Sequence, residues 1–218
     1  LTATTDAAAP RLVDVDGDGD LDVFASSNRG YFGYDSYLYS LENVGTQSSP
    51  DFGSPGLELS VYGVTVSTFG DLDSDGDYDM LIGNSYYSAG QGQAFRYYEN
   101  SGTPSSPTFG TASIDPFGLA DVPFHVTPAL VDLDGDGDLD ILAGSDAGTF
   151  DYFENTGSAA APNFAGPITD PFSLTTVAPG QSSVAVGDMD GDGDTDVVAG
   201  EYNAAGASLW YFENQAID

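Results

Sequence analysis

Asp14-Val15-Asp16-Gly17-Asp18-Gly19-Asp20-Leu21-Asp22 places an aspartate on every other residue of a nine-residue run, with glycines between. The run returns from Asp71 to Asp79, from Asp132 to Asp140 and from Asp188 to Asp196, each time reading D-x-D-x-D-G-x-x-D with a further Asp at the seventh position. A hard cation such as calcium takes six to eight oxygens at about 2.3–2.6 Å, and carboxylates alternating along a tight loop converge on such a centre. Glycine permits the bend that wrapping requires. A single Asp-Gly run is an ordinary turn between strands. Four copies in one chain are read as four cation sites, and the candidate cofactor is calcium, about four ions, one per repeat. The candidate metal residues are Asp14, Asp16, Asp18, Asp20 and Asp22; Asp71, Asp73, Asp75, Asp77 and Asp79; Asp132, Asp134, Asp136, Asp138 and Asp140; and Asp188, Asp190, Asp192, Asp194 and Asp196.

The loops start 57, 61 and 56 residues apart, and other features keep the same phase. About twenty residues beyond each loop an aromatic or apolar stretch ends in Glu-Asn, at Glu42-Asn43, Glu99-Asn100, Glu154-Asn155 and Glu213-Asn214. In the first three repeats a Pro-x-Phe follows, at Pro50-Asp51-Phe52, Pro107-Thr108-Phe109 and Pro162-Asn163-Phe164. A period of this length marks a repeat architecture.

Within a repeat every signal is β. The ninth loop residue opens a short apolar run, as in Asp79-Met80-Leu81-Ile82 or Asp140-Ile141-Leu142-Ala143, which reads as a strand buried on both faces. A strand precedes each loop, as at Ala129-Leu130-Val131. A third is expected over 37–43, 94–100, 149–155 and 208–214. A weaker fourth is expected over 57–62, 119–122 and 174–177. No stretch has the period of an amphipathic helix. An EF-hand is excluded, because its twelve-residue loop ends in a bidentate Glu between helices, whereas the twelfth positions here are Ala25, Ile82, Ala143 and Ala199.

Four short antiparallel strands per repeat are the signature of propeller blades. The in-phase loops, the strand after each, the Glu-Asn strand and the Pro-x-Phe together resemble the FG-GAP or VCBS-type repeats of integrin-α-like propellers and of bacterial surface proteins. The expected fold is all-β, a β-propeller-like array of four antiparallel four-stranded blades with calcium loops between strands one and two. The expected blades are roughly 6–62, 63–122, 123–177 and 178–218, within one repeat domain over 1–218. The resemblance and the chemistry imply carboxylate ligands from positions one, three, five and nine, and a backbone carbonyl from position seven, whose side chain then points outward. The resemblance also implies rings of seven or eight blades. Residues 1–5 align in phase with 174–177, as a fourth strand without its blade. That strand completes the last blade of its own chain, or that of a second copy, or the chain is a piece of a longer array; these alternatives stay open.

Net charge is −32, with 3 Lys and Arg against 35 Asp and Glu, of which the loops hold 20. Four divalent ions would bring this to −24. So few cationic side chains speak against nucleic acid and anionic lipid as partners. No apolar run approaches a membrane span. No cysteine is present, so neither disulfides nor cysteine zinc sites serve as staples. The chain opens on Leu1 without a signal segment, so an extracellular or cell-surface location is inferred from the resemblance and the charge.

A candidate recognition face is the loop between strands two and three, which carries Tyr31, Phe32 and Tyr34 in repeat one, Tyr86 and Tyr87 in repeat two and Tyr202 in repeat four. Aromatics mixed with Asn, Asp and Gln on a rigid face suit glycan or protein recognition. Tyr97, Tyr98, Tyr152, Phe153, Trp210, Tyr211 and Phe212 recur at fixed phase and are expected in the core between blades. Arg96 is expected in an ion pair at a blade edge, and the single histidine, His125, in a loop. No catalytic residues are assigned. The expected function is a non-catalytic extracellular calcium-binding module for adhesion or ligand recognition, with calcium structural. The alternative is a structural subunit of an extracellular fibre or strand-exchanged oligomer. A carbohydrate-active propeller enzyme is a third reading.

Overall fold

The computed structural model describes residues 8–28, 36–56, 58–61, 65–84, 94–120, 122, 126–172, 174, 181–203 and 206–214. Residues 1–5, Tyr31, Phe32, Tyr34, Tyr86, Tyr87 and His125, singled out above, lie outside this set. The described residues are all-β, without helix, and form four antiparallel sheets in chain order. The first holds β1 (Ala8–Val13), β2 (Asp22–Asn28), β3 (Ser36–Leu41) and β4 (Glu58–Val61). The second holds β5 (Thr65–Gly70), β6 (Asp79–Asn84), β7 (Phe95–Tyr98) and β8 (Ser113–Ile114). The third holds β9 (Thr127–Val131), β10 (Asp140–Gly144), β11 (Phe150–Phe153) and β12 (Ile168–Thr169). The fourth holds three strands, β13 (Gln181–Gly187), β14 (Asp196–Asn203) and β15 (Gly206–Phe212).

Each sheet is a meander, and each aspartate loop joins its first strand to its second. The sheets stack in succession as four propeller blades, β1 against β5, β5 against β9 and β9 against β13. Because the inner blades are covered on both faces, β6 and β10 are buried at every residue, as continuous apolar strands require. Three apolar layers fill the three spaces. Phe24, Leu38, Met80 and Ile82 lie between blades one and two; Leu81, Phe95, Ile141 and Phe153 between two and three; Leu142, Phe150, Val184 and Val197 between three and four. Equivalent aromatics meet across successive layers, Phe95 on Phe153 at 5.3 Å and Phe150 on Phe212 at 6.2 Å between ring centres. Close backbone approach pins the blades. A Cβ on Gly83 would stand 2.2 Å from the Val126 carbonyl oxygen, and one on Gly144 2.6 Å from that of Ser182. At the same points the Val126 and Ser182 amides donate to the carbonyls of Asn84 and Ser145.

Two expectations need correction. The fourth strands of blades two and three lie earlier than the apolar runs at 119–122 and 174–177, at Ser113–Ile114 and Ile168–Thr169. Asp115 and Asp170 end these strands. Each carboxylate accepts the amide of the third strand's first residue, Phe95 or Phe150, and each enters a left-handed turn with φ of 43° and 51°. Phe117 and Phe172 continue the turn at φ 57° and 51°, and Leu119 and Leu174 then drop into the core. The Asp-Pro-Phe sequence prefers a turn stabilised by its own side chain over continued pairing. Residues 175–177 are outside the described set.

The second correction concerns the last blade. Tyr97, Tyr98, Tyr152 and Phe153 are buried as expected, but Trp210 and Tyr211 are half exposed. Leu209 is 81% exposed and Met189 63%, whereas their register equivalents Phe95 and Phe150, and Leu72 and Leu133, are buried. The face that in blades one to three packs on a following blade is open in blade four. On the opposite end, Leu12 of blade one is 63% exposed.

Candidate metal centres

The four loops share one hydrogen-bond scheme, set by where aspartates alternate with amides. The first Asp accepts the amide of the sixth-position glycine: Gly19 to Asp14 at 3.0 Å, Gly76 to Asp71 at 3.2 Å, Gly137 to Asp132 at 3.0 Å and Gly193 to Asp188 at 3.2 Å. The third accepts the amide of the fifth, and the fifth that of the seventh, as in Asp18 to Asp16 and Asp20 to Asp18. These local bonds curl the loop and turn carboxylate oxygens inward. The fourth and sixth residues take left-handed φ, 79° at Gly135 and 94° at Gly137; Ser74 does so at 58° where the other loops have glycine.

The result is a cluster in each blade. Ligand oxygens of Asp14, Asp16 and Asp18 lie within 4.8 Å of one another, as do those of Asp71, Asp73 and Asp75, of Asp132, Asp134 and Asp136, and of Asp188, Asp190 and Asp196. Carboxylate oxygens gathered this closely can share one hard cation. Positions one, three and five thus converge in three loops, and positions one, three and nine in the fourth. Asp192 is outside the fourth group.

The ninth carboxylate has a second task. Its Oδ2 accepts the amide of the second loop residue, Val15, Leu72, Leu133 or Met189, at 2.9–3.3 Å. Its Oδ1 accepts the amide of the asparagine that closes the third strand: Asn43, Asn100, Asn155 or Asn214, at 2.8–2.9 Å. A tyrosine adds a third donor in three blades, Tyr152 to Asp140 at 2.7 Å, Tyr211 to Asp196 at 3.0 Å, and Tyr97 to Asp79. The asparagine passes the order on. Asn155 Oδ1 accepts the amides of Gly157 and Asn163, at 3.1 and 2.9 Å, and so closes the hairpin before Pro-x-Phe. Asn43 and Asn100 do the same in their blades. The sequence marked these tyrosines as core alone; their shared phase with the ninth Asp was the available signal for the hydrogen bond.

Two of the four seventh residues differ from expectation, while Asp20 and Asp194 are partly exposed. Asp77 and Asp138 are buried instead of pointing outward, and the Oδ1 of each lacks a hydrogen-bond partner, as does Asp14 Oδ1. Burial, and then the charges of Asp75, Asp73 and Asp71, raise the pKa of Asp77; Asp138 is raised by burial and by Asp136. Crowded, partly orphaned carboxylate oxygens fit a bound cation, which supplies the missing counter-charge. Burial pushes the Asp79 carboxyl up to about 6, against the opposing hydrogen bonds from Asn100 and Tyr97. Asp196 is the exception, lowered by the amides of Asn214 and Met189.

The sequence model of the FG-GAP-like repeat matches residues 71–143 and 132–199, more than half of the chain. The chain belongs to the FG-GAP-like repeat family. No curated protein matches it. Among solved structures it is similar to an Agrocybe aegerita lectin described as specifically recognising non-reducing terminal N-acetylglucosamine. The TM-score is 0.46 at 16% identity over 95% of this chain, which spans 66% of that one. Four FG-GAP-like aspartate groups, one per blade, could hold a metal ion.

The recognition residues proposed from sequence fare differently. Tyr202 lies in β14, where its backbone pairs with Gln181 and Ala207. The other five are outside the described residues. Arg96 is buried in β7; burial lowers its pKa, and the charges of Tyr98 and Asp115 act in the opposite direction.

Proposed function

We propose that the chain is a non-catalytic extracellular repeat module for adhesion or ligand recognition, in which calcium, one ion per blade, is structural. The observation that carries this reading is the fourfold convergence of loop carboxylates within 4.8 Å. All-oxygen donors of high charge in a flexible loop suit calcium better than zinc or copper, which prefer imidazole or thiolate. A structural role is supported by the ninth aspartate, which ties each loop to the third strand of its blade. The net charge of −32 is compatible with a calcium-rich exterior. Among the described residues no helix is long and apolar enough to cross a membrane.

Calcium titration of metal-stripped protein tests it. About four ions per chain are expected, with a melting temperature at least roughly 10 °C higher than in excess chelator. Equal melting in calcium and in chelator overturns the structural role. A second reading, association into a larger assembly, is supported by the exposed apolar face of blade four around Met189 and Leu209. Sedimentation of the chain in calcium tests it, and a single monomeric species over a wide concentration range removes it.

A further inference from the structure

Blade one departs from the tyrosine–aspartate bond of the other three. The register pairs Leu81 with Tyr97, Leu142 with Tyr152 and Val198 with Tyr211; the same register pairs Phe24 with Ser40. A serine therefore stands where a phenol belongs. Beside it, between blade one and the hairpin at 103–109 of blade two, lies a cleft of about 340 Å³. Val15, Phe24 and Ser40 line it on one side with the acidic Asp16, Asp22 and Glu42, and Pro107 and Phe109 line it on the other with two serines, Ser105 and Ser106.

We propose that this cleft is a binding site for an aryl hydroxyl, the group the chain supplies to itself in the other blades, and that its source is a tyrosine side chain of a partner. Three observations converge on that chemistry. Asp22 is 2% exposed, and among the described residues its hydrogen bonds come from the amides of Val15 and Asn43. The equivalent Asp140 Oδ2 accepts Tyr152 OH at 2.7 Å in addition to the amide of Leu133 at 3.3 Å, so an Oδ2 held in this way takes a second donor. The walls are mixed, and within them Phe24 and Phe109, edge to face at 6.4 Å between ring centres, offer the aromatic contact a ring can pack on. The acidic side selects a neutral donor and rejects anions. The cleft shares Asp16 and Asp22 with the candidate metal loop of blade one, and the phenol would use Asp22 Oδ2 as Tyr152 uses Asp140 Oδ2 beside its own loop.

Ligand-observed NMR titration in calcium buffer tests the proposal with four probes: p-cresol, toluene, N-acetyl-tyrosinamide and methyl α-glucopyranoside. Saturable p-cresol binding is expected, with toluene about tenfold weaker for loss of the bond to Asp22. Tyrosinamide should bind at least as well as p-cresol, and the glucoside should not compete. Ser40→Tyr, which restores the internal phenol, should weaken p-cresol binding at least tenfold while leaving the melting temperature equal or higher. Ser105→Trp, at the exposed mouth of the cleft on blade two, should do the same and guards against a misfolded Ser40→Tyr. Equal binding of toluene and p-cresol, unchanged binding in both variants, absence of saturation at millimolar p-cresol, or competition by the glucoside would each overturn the site. Binding of p-cresol without tyrosinamide would overturn the partner tyrosine.

Discussion

At residue scale, the fourth loop position shows how backbone geometry outweighs side-chain identity. Gly17, Gly135 and Gly191 adopt left-handed φ without a Cβ, whereas Ser74 holds φ 58° against its own side chain. Ser74→Gly should stabilise the protein by about 0.5–1 kcal/mol, read from denaturant midpoints, because relief of left-handed strain exceeds the added unfolded-state entropy. The asparagines that close the third strands make the converse point. Asn155 is buried and accepts two amides, so Asn155→Ala leaves both unsatisfied and should cost about 2–4 kcal/mol in the same measurement. Asp79 gives the pH dependence its sign. Its folded carboxyl titrates near 6, above the ordinary 3.8, so folding favours its protonated form. That contribution is complete below about pH 4 and lost as pH rises through 6. In chelator the melting temperature should therefore fall between pH 4.5 and 7, while calcium affinity rises over the same window as protons stop competing. A melting temperature that climbs with pH in chelator would contradict this assignment.

At the scale of elements, loop and sheet form one unit. The loop organises itself through bonds two to five residues long, then hands its ninth carboxylate to an amide 15–21 residues away. A cation held by the first, third and fifth carboxylates of blades one to three would thereby stabilise the third strand through the ninth. Asp140→Ala, which removes this hub from blade three, should cost at least about 3 kcal/mol even in saturating calcium, because it strands the amides of Leu133 and Asn155 and the hydroxyl of Tyr152. Asp134→Ala, in the carboxylate cluster of blade three, should instead lower the calcium stoichiometry by one while the chelated protein melts within a few degrees of the parent. Calorimetric titration of both variants separates the two roles.

At the scale of the whole molecule, the blades behave as a one-dimensional stack in which each interface repeats its neighbour. The same register position is worth different amounts along the stack. Leu142, fully buried between blades three and four, should cost about 3 kcal/mol as Leu142→Ala. Leu209, 81% exposed on the open face of blade four, should cost less than about 0.5 kcal/mol as Leu209→Ala. A comparable loss at Leu209 would show that the face is covered in solution. The sequence by itself determined the all-β class, the four aspartate loops and the first three strands of each blade. Alternation of Asp with Gly, short apolar runs and turn residues act within a few positions, where propensity and sterics are local. Only tertiary structure decided which carboxylates converge, that the ninth is a structural hub, and that Asp115 and Asp170 turn the chain so that Leu119 and Leu174 become core. It also decided that one third-strand position is buried in three blades, as Leu38, Phe95 and Phe150, and open in the fourth, as Leu209, and that Ser40 stands beside a cleft where the other blades place a phenol. Those outcomes depend on which surface meets which across distances of tens of residues, and a repeat pattern alone cannot tell a covered face from an open one.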